Sequence, residues 1–209
     1  MKKRILIVDT KVSNIKSVCN ALDYLKINYE ITDVEFNPKD FDYLILPGVG
    51  NFSKFANNIE KKKLYKPIMN YIQMNKFFLG ICVGMQYMFH SSEESNEHKG
   101  LNLVKGKVKK FDFLKVNGKI PLIGKNTIHQ SIIDWEKTIL KNINNSKEMY
   151  FLHSYYCLAD KNFELSKTNY NDFNFTSSIK IENTYGVQFH PEKSGIEGLQ
   201  IFKNFISLE

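Results

Sequence analysis

The sequence predicts an α/β fold: a single domain with a central, mostly parallel sheet flanked by helices, plus a smaller antiparallel sheet. Three observations carry this. From Lys3 to His90, short apolar runs alternate with segments of helical period, the pattern of parallel strands covered on both faces. After Ser91 the chain turns to short strand candidates separated by polar turns, which suits antiparallel pairing. The 209 residues, 43% hydrophobic and 24% charged, fit one domain over residues 1–209 with a substantial core, and no repeat or low-complexity linker divides them.

The elements follow in order. Lys3–Asp9 is a β-branched run and reads as a buried strand. Val12, Ile15, Val18, Cys19, Leu22 and Leu25 keep a helical period. Tyr29–Val34 and Phe41–Leu46 are the next strands, the latter closed by Pro47-Gly48. A helical stretch runs from Phe52 to Asn75, interrupted near Pro67. Phe77–Ile81 is a fourth strand, followed by a helix over Val83–His90. Ser91–Gly100 is loop-like. Val104–Phe111, Lys119–Ile123, Met149–Leu158 and Phe173–Ile181 are the later strand candidates, with a polar turn at Asn142–Lys147. A helix over Ile196–Phe205 closes the chain.

Composition excludes several function classes. The longest nearly apolar run, Phe77–Met85, is too short to span a bilayer, and Asp9 ends the apolar stretch Ile5–Val8 before it can form a secretory signal. No membrane partner is expected. Cys19, Cys82 and Cys157 are too widely spaced for a disulfide framework or a C-x-x-C metal site; a reducing, cytoplasmic setting, no metal and no cofactor are expected. The 29 basic residues against 22 acidic give +7. Every one of them except Arg4 is a lysine, and they are scattered. Arginine is the usual instrument of bidentate phosphate and base contacts, so this charge describes a solvated surface and no nucleic-acid partner.

The strongest chemical signal is Gly80-Ile81-Cys82-Val83-Gly84, between a strand and a helix. This is the G-x-nucleophile-x-G elbow with cysteine as nucleophile. The tight turn needs the small neighbours Gly80 and Gly84, and the helix after Cys82 sets its positive end beside the sulfur. Cys19 and Cys157 read as buried hydrophobes. A cysteine nucleophile needs a base, and the base an orienter. His90 and His98 fall where exposure is expected, and His129 lacks a partner in the pattern. His190 ends the run Tyr185–Phe189 and precedes Pro191 and Glu192. Pro191 holds His190 extended, and residues i and i+2 of an extended segment share a side about 6.5–7 Å apart, so Glu192 can hold the imidazole. Pro47-Gly48-Val49-Gly50 ends a neighbouring strand on the same rim. The N–H groups of Val49 and Val83 are therefore the candidate oxyanion donors.

Leu79–Gln86 together with His190-Pro191-Glu192 resembles the class I, triad-type glutamine amidotransferases. Pro47–Gly50, Ser91–Glu94, His153–Tyr156, Tyr185–Gly195, Gly198-Leu199 and Asn204-Phe205 narrow the resemblance to the glutaminase subunit of imidazole glycerol phosphate synthase. The resemblance runs from first strand to last helix. It implies that Cys82 attacks the glutamine amide to give a thioester and ammonia, that His190 relays protons and that Glu192 orients it. Gly50, Gln86, Ser154 and Tyr155 match the glutamine-holding positions, and Val49 and Val83 the oxyanion donors. It also implies a (β/α)8-barrel cyclase as heterodimeric partner, receiving the ammonia. The partner contact is expected on the Cys82 rim, at Lys125 and Lys193. One stretch departs: the family pattern P-H-x-G-W-N is here Pro121-Leu122-Ile123-Gly124-Lys125-Asn126. The missing aromatic bears on the acceptor, and the alternative is a paralogous glutaminase serving an amidino-sugar ligase for surface polysaccharides.

Overall fold

The structure, a computed structural model, describes residues 3–95, 97–112 and 118–209. In chain order the strands and helices are β1 (Ile5–Val8), α1 (Ile15–Tyr24), β2 (Glu30–Thr32), β3 (Tyr43–Gly48), α2 (Phe52–Lys61), α3 (Tyr65–Gln73), β4 (Phe77–Cys82), α4 (Val83–Gln86), β5 (Gly106–Lys110), β6 (Leu122–Gln130), β7 (Lys147–His153), β8 (Tyr155–Ala159), β9 (Glu164–Tyr170), β10 (Phe173–Ile181), β11 (Thr184–Val187) and α5 (Gly195–Ser207). A single 3₁₀ turn at Pro191–Lys193 precedes α5.

The strands lie in the order β2-β1-β3-β4-β11-β10-β9-β6-β7, with β8 pairing β10 and β5 pairing β8. From β2 to β11 neighbours are parallel; beyond β11 they are antiparallel. The antiparallel strands therefore extend the parallel sheet edge to edge through β10–β11. Central β1 and β3 are buried at every residue, as strands covered on both faces must be. Phe52, Phe55, Ala56 and Ile59 of α2 recur at helical spacing and are all buried. No helix among the described residues is long and apolar enough to cross a membrane.

Several boundaries differ from those the sequence predicts. The helical stretch breaks at Lys62–Leu64, with Lys63 at φ 56°. Pro67 instead sits in the first turn of α3, where its missing N–H costs nothing. The helix after β4 stops at Gln86 rather than His90. Met88 and Phe89 donate three residues back, to Met85 and Gln86, so the turn tightens out of α-geometry, and the carbonyls of Tyr87, Met88, Phe89 and His90 are taken by N–H groups of residues 100–104. The single expected strand Met149–Leu158 is two strands broken at Ser154: β7 pairs β6, whereas β8 pairs β5 and β10. β9 fills a stretch that carried no strand expectation. His129, expected without a partner, lies in β6 with its ring between the hydroxyls of Thr127 and Ser146, each 3.1 Å away.

Helix α5 packs against the Pro191–Lys193 turn, and the fit leaves no room for a side chain at Gly198. A Cβ there would meet the Pro191 carbonyl oxygen at 1.8 Å. Gly198→Ala is expected to destabilise the fold by about 1–3 kcal/mol through overpacking, read as a lower urea midpoint. An unchanged midpoint would contradict this packing.

Candidate active site

Strand β4 delivers Cys82 to the sheet's carboxyl rim, and α4 begins at the next residue. Cys82 adopts φ 54°, ψ −107°, a region that costs a non-glycine residue free energy and persists only where surroundings enforce it. The enforcement is packing of the elbow onto β3. A Cβ on Gly84 would lie 2.0 Å from the Leu46 carbonyl oxygen, so only glycine lets the two backbones approach. Gly48 of β3 pairs with Cys82 itself.

His190 reaches the same rim from the far side of β4. Val187 of β11 is in register with Ile81, and three further residues bring the chain past the sulfur to His190. Its backbone is extended, at φ −103°, ψ 97°. Its N–H donates to the Tyr150 carbonyl at 2.8 Å. Ser194 closes the loop: its hydroxyl donates to the His190 carbonyl at 2.7 Å and accepts from the Tyr150 N–H at 3.0 Å. The imidazole Nδ1–H donates to Glu192 Oε1 at 2.7 Å, and both side chains are 2% exposed. Nε2 is buried with no hydrogen-bond partner among the described residues. Burial pulls the His190 pKa down, but the charge of Cys82, then the hydrogen bond and charge of Glu192, outweigh it and push the pKa up to about 10. The sulfur and the imidazole thus lie within electrostatic reach of one another.

Cys82 opens into a cavity of about 450 Å3. Gly50, Gln86, Ser154 and Tyr155 all line it, as do Val49 and Val83. The paired oxyanion donors are not assembled. The Val49 N–H donates to the Val12 carbonyl at 2.9 Å, so it is engaged elsewhere. Val83 occupies the first turn of α4, where backbone N–H groups have no intrahelical acceptor. Lys125 and Lys193 do not line the cavity. They converge on Tyr150 instead: Lys125 is its partner across β6–β7, and the Lys193 ammonium lies 5.5 Å from its ring centroid.

Sequence reasoning missed Glu94 as a site residue, although it closes the Ser91–Glu94 run. Its carboxylate accepts from the Phe52 N–H at 2.8 Å and from Asn51 Nδ2 at 3.0 Å. It so caps α2 and contributes, among the described residues, the one carboxylate in the cavity lining. Nothing in the local spacing of Glu94 distinguishes it from Glu93; only the fold brings it to the N-terminus of α2. His153, which opens the His153–Tyr156 run, carried no role either. Its Nδ1–H donates to the Tyr155 carbonyl at 2.8 Å, which fixes Nε2 as the bare nitrogen, and that nitrogen is buried without a partner among the described residues. Burial, with a smaller contribution from His190 and against the Tyr155 hydrogen bond, holds the His153 pKa down to about 3.

A family model described as glutamine amidotransferase class-I matches residues 6–208. The HisH subunit of imidazole glycerol phosphate synthase from Sulfurimonas denitrificans is 38% identical over 206 residues, covering 96% of this chain and 96% of that protein. The HisH subunit from Aquifex aeolicus is 37% identical over 204 residues, covering 97% and 95%. Among solved structures, PurLQS from Thermotoga maritima matches with a TM-score of 0.75 at 16% identity, covering 99% of this chain and 98% of that one. A glutamine amidotransferase from Thermotoga maritima gives 0.64 at 13% identity, covering 99% and 81%. The structural likenesses speak to the fold alone.

The His153 pKa sets a sign for acid stability. Folded His153 stays neutral down to about pH 3, whereas an unfolded histidine protonates near 6.5. Between these values the unfolded state binds more protons, so stability falls as pH falls. Urea unfolding at pH 7 and pH 5 is expected to show a stability loss about 2 kcal/mol smaller in His153→Gln than in the parent chain. An equal loss in both would contradict a buried neutral imidazole.

Proposed function

The chain belongs to the class-I glutamine amidotransferase family, and on that premise we propose that it is the glutaminase subunit of an imidazole glycerol phosphate synthase. The observation that carries the reading is the meeting of a strained cysteine, a Glu192-bound imidazole and a 450 Å3 cavity on one rim of the sheet. The full-length likeness to HisH subunits supplies the pathway.

In this reading glutamine lies in the cavity with its side-chain amide at Cys82. Gly50, Gln86, Ser154 and Tyr155 hold it, and Glu94 pairs with its α-ammonium. Cys82 passes its proton to His190 Nε2 and its sulfur adds to the amide carbon. Glu192 keeps the Nδ1–H in place, so Nε2 is the nitrogen that exchanges protons. The Val83 N–H meets the developing oxyanion. A second donor from Val49 requires its peptide to leave the Val12 carbonyl. His190 returns the proton to the departing nitrogen, ammonia leaves, and a thioester remains. Water, deprotonated by His190, then attacks the thioester, and glutamate is released as the Cys82 thiol is restored. No cofactor is needed for either half-reaction.

The ammonia passes to a (β/α)8-barrel cyclase bound on the Cys82 rim as a heterodimer, shielded from bulk water. Lys125 and Lys193, gathered around Tyr150 beside the His190 loop, are the proposed contact points. The activity is placed in the cytoplasm, within a single domain over residues 1–209. One observation favours a second acceptor: Lys125 stands where the family pattern carries an aromatic. An amidino-sugar ligase is the alternative partner.

Ammonia release from glutamine is expected to be low alone and to rise sharply with the cyclase. Cys82→Ala is expected to abolish it, and Glu94→Gln to raise KM about tenfold or more through loss of a charge-assisted contact. Stimulation by a sugar ligase but not by the cyclase would transfer the chain to the alternative pathway. No ammonia with either partner would overturn the glutaminase reading.

A further inference from the structure

We propose that Gln188 is a positioning residue that holds a hydrogen-bond donor on the Cys82 sulfur, its own orientation set by the Tyr155 backbone carbonyl through Gln86. This rests on the reading of Cys82 as the nucleophile. Gln188 is fully buried, and its side chain touches both of the molecule's buried cysteines.

An amide side chain can present either its oxygen or its nitrogen to a neighbour, and the network here decides which. The Tyr155 carbonyl can only accept. The Gln86 amide group 3.1 Å from it is therefore the nitrogen. That nitrogen also lies 3.2 Å from the Gln188 amide, which must present its oxygen in return. Cys157 agrees, its thiol donating to the same oxygen at 3.6 Å. The opposite end of the Gln188 amide is then Nε2, 3.6 Å from the Cys82 sulfur. A backbone atom that cannot invert fixes two side-chain amides in series and leaves an N–H on the sulfur.

The backbone holds Gln188 where this requires. Val187 pairs with Ile81, so the next residue of each chain faces the other: Gln188 beside Cys82. The Gln188 N–H donates at 2.9 Å to Ser177, which the irregular register of β9–β10 sets out of line. Besides the amino end of α4, the sulfur faces the Leu152 carbonyl at 3.9 Å, which a protonated thiol can address, and acts electrostatically on His190 and Cys157, with Glu192 behind His190; His153 and Glu94 line the same cavity. None of these gives the sulfur a fixed neutral donor. An N–H held on sulfur favours the anionic nucleophile and aligns it without taking a proton from it.

The test is carboxamidomethylation of Cys82 by iodoacetamide in the full chain, followed against pH by peptide mass spectrometry. The readout is the pH at which the rate reaches half its plateau. Gln188→Met fills the same space without a donor and is expected to raise that pH by about one unit, a rate about tenfold lower below it. Gln188→Glu keeps the oxygen that Gln86 and Cys157 address but loses the N–H, and is expected to raise it at least as far. Gln86→Met leaves Gln188 in place but frees its orientation, and is expected to raise it by less. In ammonia release with the partner, kcat should fall and KM hold in the Gln188 variants. An unchanged half-plateau pH in Gln188 variants that retain the parent's melting temperature overturns the proposal. Should those variants unfold, an unchanged value in Gln86→Met overturns it. Alkylation that responds as expected in a chain releasing no ammonia from glutamine overturns the glutaminase reading and leaves the Gln188 assignment standing.

Discussion

The close approach of the β4–α4 elbow to the end of β3 is the constraint on which the site depends. A cysteine at φ 54° is unfavourable in isolation and holds only because helix α4 starts against the Leu46 carbonyl with no side chain between them. The same packing fixes where the sulfur stands relative to the neighbouring strands. β3 then brings the Val49 peptide alongside, and β11 brings Gln188 and His190. The parallel register is thus the positioning device, and the site residues cluster at or just beyond the carboxyl ends of the strands.

Much of this was legible in the chain. The buried parallel strands announce themselves as apolar runs, and the elbow and the His-Pro-Glu turn are local signals whose stereochemistry can be read residue by residue. What was not legible depends on contacts between distant segments. The helix after β4 tightens at Met88 and Phe89, and the carbonyls beyond it turn to residues 100–104; no feature of residues 83–90 encodes that. Glu94 becomes a site residue because Asn51 and Phe52 bind it. The break at Ser154 is hidden inside a run that alternates well enough for one long strand. Tertiary pairing decided each of these against local propensity.

The two candidate oxyanion donors illustrate the difference between location and readiness. Strand order correctly carries Val49 and Val83 to one cavity. Whether an N–H points into it is a matter of one peptide's rotation, and the Val12 carbonyl has claimed that of Val49. Sequence patterns place residues; they are silent on such a two-way choice, which changes the donor count at the sulfur's side.

The interruption at Ser154 divides labour within what would otherwise be one rigid ribbon. Upstream, Tyr150 of β7 clamps the loop bearing His190 through both its carbonyl and its N–H. Downstream, the Tyr155 carbonyl of β8 orders the amides beside the thiol. The Tyr150 backbone thus anchors the His190 loop on one side of the break at Ser154, and the Tyr155 carbonyl orders the amides beside Cys82 on the other.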